Sequence, residues 1–169
     1  FSYMDQAFAL ARGADPTAKL FLNEFNIESP GLKADAVFAA VQGMRQRGVP
    51  IDGVGFEMHA NTSAPTAQQL AVQMARYAAI GVDVGITELD VKLPATPTPD
   101  ELKDQARVYR EVLAACRAAT NCKTFVMWGF TDKYSWIPDL VPGWGSATIM
   151  DATFGHKPAY DALNDELHG

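Results

Sequence analysis

An alternation of short apolar runs with longer amphipathic stretches constrains this 169-residue chain more than any other feature. The apolar runs cover residues 19–26, 53–59, 84–91 and 124–132. Short, nearly continuous apolar runs suit parallel strands covered on both faces. Their midpoints lie about 30–40 residues apart, the size of a βα unit. The predicted order is four strands, each flanked by helices, in one α/β domain spanning residues 1–169.

Helix ends are well signalled. Thr66 with Gln69, and Thr98 with Glu101 behind Pro99, are capping boxes in which side chains satisfy free N–H groups of the first turn. Gly48 and Gly81 follow helical stretches and suit the left-handed stop, and Pro50 follows the first of them. Ser2 can cap an opening helix to about Arg12, and a final helix is predicted over 157–167. Met44 and Met74 sit at helical spacing and read as core.

Polar residues collect at the ends of the strands. The first run closes on Asn23, Glu24, Asn26 and Glu28, and the second on Glu57 and His59. The third closes on Thr87, Glu88 and Asp90, and the fourth on Trp128, Asp132 and Lys133 with Trp136 just beyond. In parallel α/β folds the C-terminal strand ends carry the site. Glu57 and His59, Glu88 and Asp90, and Glu24 and Asn26 are each two apart, so each pair shares a strand face. A lone strand histidine is more often a satisfied core residue, and a lone carboxylate often caps a helix. Four polar rims in register argue for a shared cavity.

Composition narrows the chemistry. A net charge of -6 without a basic stripe makes a poor nucleic-acid binder. No apolar run reaches the roughly 18 residues of a membrane span. The sequence shows no metal-ligand cluster, phosphate loop, nucleotide fingerprint or Gly-x-Ser-x-Gly, so no cofactor is expected. Aromatic platforms, amides and carboxylates on one rim suit neutral, hydroxyl-rich sugars. Acetal cleavage with retention takes two carboxyl groups about 5–5.5 Å apart, one attacking and one protonating the leaving oxygen. Glu88 is the best candidate nucleophile, with His59 fixing its carboxylate and Asp90 orienting the imidazole. Cys116 and Cys122, six apart, either close a local disulfide, which implies an oxidising compartment, or stand as two separate buried thiols. Phe1 is not an initiator Met and no leader follows it, so a secretory signal is absent or already removed.

Three motifs carry a resemblance: Gly-Val-Pro-Ile-Asp-Gly-Val-Gly-Phe (48–56), Ile-Thr-Glu-Leu-Asp-Val (86–91) and Trp-Gly-Phe-Thr-Asp-Lys-Tyr-Ser-Trp (128–136). With the looser Leu-Asn-Glu-Phe-Asn (22–26) and Lys-Pro-Ala-Tyr (157–160), they resemble the family 10 glycoside hydrolases, the endo-β-1,4-xylanases. The resemblance implies four βα units corresponding to the C-terminal half of a TIM (β/α)8 barrel, strands five to eight. It implies Glu88 as catalytic nucleophile, His59 as its neighbour and Asp90 as that histidine's partner. Trp128 and Trp136 would wall the cleavage subsite, with Asn23, Phe25, Asn26 and Glu57 among the substrate-binding residues. Cys116 and Cys122 resemble the bridge that many members carry before strand eight. Xylan or xylo-oligosaccharides are the implied partners, and a secreted location is expected.

The departures are specific. Glu57 stands where the family usually has Gln, Glu24 where it has Asp, and Phe25 where it has Tyr. A carboxylate beside Glu88 disfavours two charges, so one pKa should rise and the pH profile should respond. The family's acid/base glutamate follows strand four in an Asn-Glu dipeptide. Asn23-Glu24 resembles that dipeptide but aligns with strand five, so the acid is expected to be missing. Four strands cut from a barrel leave two open edges, and self-association or pairing with a missing N-terminal half is expected. A xylan-binding or inactive structural half-barrel is the alternative. Xylan binding without hydrolysis would mark the first, and failure to bind any xylo-oligosaccharide the second.

Overall fold

The apolar runs pair side by side into one parallel sheet with helices between them, in a computed structural model that describes residues 2–169 without the Ser2 side chain. In chain order the elements are α1 (Ser2–Ala14), β1 (Phe21–Glu24), α2 (Leu32–Gln46), β2 (Gly53–Phe56), β3 (His59–Ala60), α3 (Ala67–Ala78) and β4 (Asp83–Val91). Then follow β5 (Leu93–Pro94), α4 (Pro99–Ala118), β6 (Cys122–Met127), a 3₁₀ turn (Asp132–Tyr134), α5 (Ile137–Leu140), β7 (Trp144–Gly145) and α6 (Pro158–His168). Strands β1, β2, β4 and β6 lie next to one another in that order, and the short β3 runs beside the end of β4. Among the described residues, the outer edges of β1 and β6 have no strand partner.

Helix termini follow the sequence signals. Both capping boxes form, at Thr66–Gln69 and Thr98–Glu101. Gly48 and Gly81 take φ of 75° and 67°, where a side chain would be strained. The cap expected of Ser2 lies outside the described side chains. Cys116 and Cys122 are joined in a disulfide, tying the end of α4 to the start of β6.

One sheet face presents Val54, Phe56, Val84, Ile86 and Leu89, all fully buried. Opposite them lie Val41 and Met44 of α2, Leu70, Met74 and Tyr77 of α3, and Val108, Tyr109 and Val112 of α4. Each large side chain so buried contributes about 1.5–3 kcal/mol, which makes this layer the main source of cohesion. The other face carries Gly53, Gly55 and Gly85, with the Phe21 ring laid over Gly53. A Cβ on Gly55 would fall 2.1 Å from Asn23 Oδ1 and 2.8 Å from the Thr87 methyl, so only glycine lets those two side chains meet across β2.

Three strands are shorter than their apolar runs, and the cause is the same each time. Asn26 (φ 55°), Met58 (φ 65°) and Gly129 (φ 97°) leave the extended region just past the ladders of β1, β2 and β6. Glu57 and His59 are therefore not on one continuous strand, contrary to the simple alternation, because the Met58 kink separates β2 from β3. In β4, Thr87 and Glu88 fall in a register irregularity between Ile86 and Leu89, which breaks strict alternation there too.

Asp52, just before β2, ties the first helix to the sheet. Its carboxylate accepts from the Leu20 N–H (2.8 Å) and from Arg12 of α1 (2.5 Å), with Lys19 at 3.7 Å. Burial pushes this carboxyl up, but the Leu20 N–H and the two cations pull harder and hold it below 3.8. The folded pKa is thus below the unfolded one, so the stabilisation is present above that value and lost as pH falls through the folded pKa. Asp52→Asn is expected to cost about 1 kcal/mol at neutral pH and less at a pH below the folded pKa of Asp52. Urea unfolding at both pH values checks this; an equal loss at both would contradict it.

Candidate active site

The strand ends bring Asn23, Glu57, His59, Glu88 and Asp90 together. The ladder aligns them: the Glu57 N–H donates to Glu24 O (3.2 Å) and the Glu88 N–H to Glu57 O (3.0 Å). His59 stands opposite Asp90 in the β3–β4 register.

His59 is the hub. Its Nε2 lies 3.3 Å from Glu88 Oε2 and 3.6 Å from Glu57 Oε2. Its Nδ1 lies 3.1 Å from Asp90 Oδ2, at an angle off the line of a straight hydrogen bond. Asp90 is 1% exposed, and its Oδ2 also accepts from the Trp136 indole N–H at 2.7 Å. The Trp136 and Trp128 rings meet the imidazole edge-on, with centroids 5.0 and 6.2 Å away. Burial disfavours the imidazolium, but Asp90, Glu88 and Glu57 outweigh it and raise the His59 pKa above 6.5.

Asn23 organises the carboxylates from the other side. Its amide donates to Glu88 Oε1 at 2.7 Å and reaches Glu57 Oε1 at 3.4 Å. The Thr87 hydroxyl donates to Asn23 Oδ1 at 2.6 Å, which orients the amide so that its NH₂ faces the acids. Burial first, then the charge of Glu88, raises the Glu57 pKa above 4.5, with His59 opposing. Burial and the neighbouring like charge thus favour the protonated form of Glu57.

Other rim residues take separate roles. Glu24 accepts from Lys33 at 2.8 Å, and that contact lowers its pKa against a burial penalty. The Lys33 ammonium also sits 3.2 Å from the centre of the half-exposed Phe25 ring. Phe25 and Asn26 make no hydrogen bond to the His59 cluster among the described residues. Glu28 turns inward, 7% exposed, onto the Ile27 N–H. Asp132 leaves the rim altogether and pairs with buried Lys157 at 3.1 Å. Lys133 lies over the Tyr134 and Phe154 rings. His156 stacks on Tyr160, and Trp144 pairs through β7 with β5.

Two features escape sequence reasoning. The Thr87–Asn23 link depends on cross-strand packing over Gly55, and the Trp136–Asp90 bond spans 46 positions. The absence of a metal-ligand cluster along the sequence is also revised. Glu57, His59 and Glu88 each offer one ligand atom, all within 4.8 Å of one another, because the set is assembled across strands. A concavity of about 470 Å³ lies elsewhere, between α3 and α4. Ala71, Ala75 and Ala115 line it, and it holds no titratable side chain. The cluster itself is an open shelf, with Trp128 47% exposed beside it.

Known proteins match this sequence and fold. The sequence profile of Glycosyl hydrolase family 10 matches residues 1–166. Endo-1,4-beta-xylanase 5 of Pyricularia oryzae is 45% identical over 163 residues, covering 95% of this chain and 40% of the relative. Endo-1,4-beta-xylanase C of Phanerodontia chrysosporium is 40% identical, covering 96% and 41% respectively. The crystal structure of xylanase 10B from Thermotoga petrophila in complex with xylobiose superimposes with a TM-score of 0.95 at 34% identity, over 98% of this chain and 51% of that one. The chain thus spans about half the length, or less, of the relatives it matches, and the sheet corresponds to part of a barrel.

Proposed function

Since this chain belongs to glycosyl hydrolase family 10, we propose that it carries the nucleophile and the aromatic wall of the cleavage subsite of a retaining endo-β-1,4-xylanase, with xylan or xylo-oligosaccharides as substrate. The carrying observation is the convergence on Glu88. One oxygen is held by the Asn23 amide, and the other lies beside an imidazole that Asp90 and the Trp136 indole orient. A carboxylate so gripped stays aimed while it attacks an anomeric carbon. The covalent bond to Glu88 forms as the C–O bond to the leaving group breaks. The indoles of Trp128 and Trp136 supply flat apolar surface for the sugar ring.

The second carboxyl is not supplied by Glu24 of the Asn23-Glu24 dipeptide. Glu24 is held ionised by Lys33, which is the wrong state for a proton donor. That favours one further reading, in which this chain alone binds xylan and turns it over poorly. Activated aryl xylosides, whose leaving groups need little protonation, distinguish the two. An activated 2-deoxy-2-fluoro-xyloside should leave one fluoroxylosyl adduct on the peptide containing Glu88. An adduct elsewhere, or none with a competent leaving group, would refute Glu88 as nucleophile.

The unpartnered edges of β1 and β6 support self-association of this half-barrel domain. Light scattering is expected to give twice 18.3 kDa, and a mass of 18.3 kDa at high concentration would exclude it. Secretion is supported by the Cys116–Cys122 disulfide, which persists in oxidising compartments.

A further inference from the structure

We propose that Glu57, His59 and Glu88 form a binding site for one first-row divalent cation of the zinc type, on the shelf where the sugar ring would lie. The ion would bind whether or not xylan is the substrate.

The geometry is that of a ligand set. His59 Nε2 stands 3.3 and 3.6 Å from the facing oxygens of Glu88 and Glu57. Two ligand atoms bound about 2.0–2.1 Å from a tetrahedral ion are themselves about 3.4 Å apart. Both histidine–carboxylate distances fit that spacing, and the two carboxylate oxygens, within 4.8 Å of each other, would close on an ion by side-chain rotation. The three side chains are each about one-fifth exposed, which leaves room for water to complete the shell.

The support behind the histidine is also of the right kind. Asp90, buried and fastened to the Trp136 indole, faces Nδ1 at 3.1 Å. A carboxylate behind one imidazole nitrogen fixes the ring and presents the other nitrogen as ligand. Charge points the same way. Three carboxylates surround one imidazole, and among the described residues none of the three forms an ion pair with Lys or Arg. Asn23 and Trp136 supply only neutral donors. One imidazole nitrogen with two carboxylate oxygens suits zinc and its first-row neighbours. Calcium and magnesium prefer larger, all-oxygen shells. Because Glu88 Oε2 is one of the ligands, a bound ion would block that oxygen.

Calorimetric titration of chelator-stripped chain with zinc chloride, in the absence of any sugar, tests the site. The expected result is one zinc per chain and at least about 10–100-fold weaker binding in Glu57→Gln, with magnesium and calcium giving no comparable signal. The isosteric Glu57→Gln keeps the fold, which circular dichroism verifies, and His59→Asn serves as the second variant. No zinc binding overturns the proposal. So does binding that is unchanged in both variants, which would place the ion on another group such as His156 or His168, or magnesium binding as tightly as zinc. None of these outcomes depends on turnover, so they are distinct from failure of the xylanase reading.

Discussion

Replacing Glu88 with alanine is expected to cut turnover of an activated aryl β-xyloside by about 10³-fold or more, with the fold intact. The side chain sits on an open shelf rather than in the apolar layer, and its partners Asn23 and His59 keep other contacts, to Thr87 and Asp90. The activity loss is therefore chemical and not a consequence of unfolding. Azide separates the two further. It can enter the space left by the carboxylate and attack the anomeric carbon as the aryloxide leaves, giving a xylosyl azide of inverted configuration. Rates of aryloxide release with and without azide, alongside circular dichroism, check this. A Glu88→Ala chain that stays folded and turns over within tenfold of the parent would remove Glu88 from the chemistry.

Lys157→Ala carries the largest expected stability effect. Lys157 is 6% exposed, and its ammonium donates to Asp132 Oδ2 (3.1 Å) and to the Ser146 and Thr148 carbonyls (2.7 Å each). Burial depresses its pKa and Asp132 opposes that shift. Truncation leaves an Asp132 carboxylate oxygen and the Thr148 carbonyl without the Lys157 donor, while the Ser146 carbonyl keeps the Gln105 amide at 2.6 Å. Breaking a buried pair costs about 3–5 kcal/mol, and the lower end applies because Asp132 keeps the Thr148 N–H and hydroxyl. For a chain of this size that lowers Tm by roughly 6–12 °C. The combined change Asp132→Asn with Lys157→Met should recover much of the loss, since it leaves no stranded charge. Thermal unfolding of the three proteins decides; a shift below about 2 °C for Lys157→Ala would contradict the argument.

Legibility differed by the range of the interaction. The Thr66 and Thr98 boxes and the stops at Gly48 and Gly81 were readable because each is completed within one turn of chain. The convergence of Glu57, His59, Glu88 and Asp90 was readable from polar residues closing apolar runs. Strict strand alternation does not produce that convergence. The Met58 kink and the irregularity in β4 deliver His59 and Glu88 to the shelf. Asp132 and Glu28 looked like rim residues but serve the interior, because their partners, Lys157 and the Ile27 N–H, follow from how the chain folds back.

Periodicity, capping and turn residues act between neighbours in sequence, so the chain by itself determined the alternating βα order, the helix ends and the polar edge of the sheet. Which nitrogen of His59 faces which carboxylate, that Thr87 turns Asn23 toward Glu88, and that three ligand atoms share one small space were decided only in the tertiary structure. Those relations depend on register and on backbone torsions at single residues. A shift of one position, or a different torsion at Met58, would separate the same side chains by several ångströms without altering any local signal.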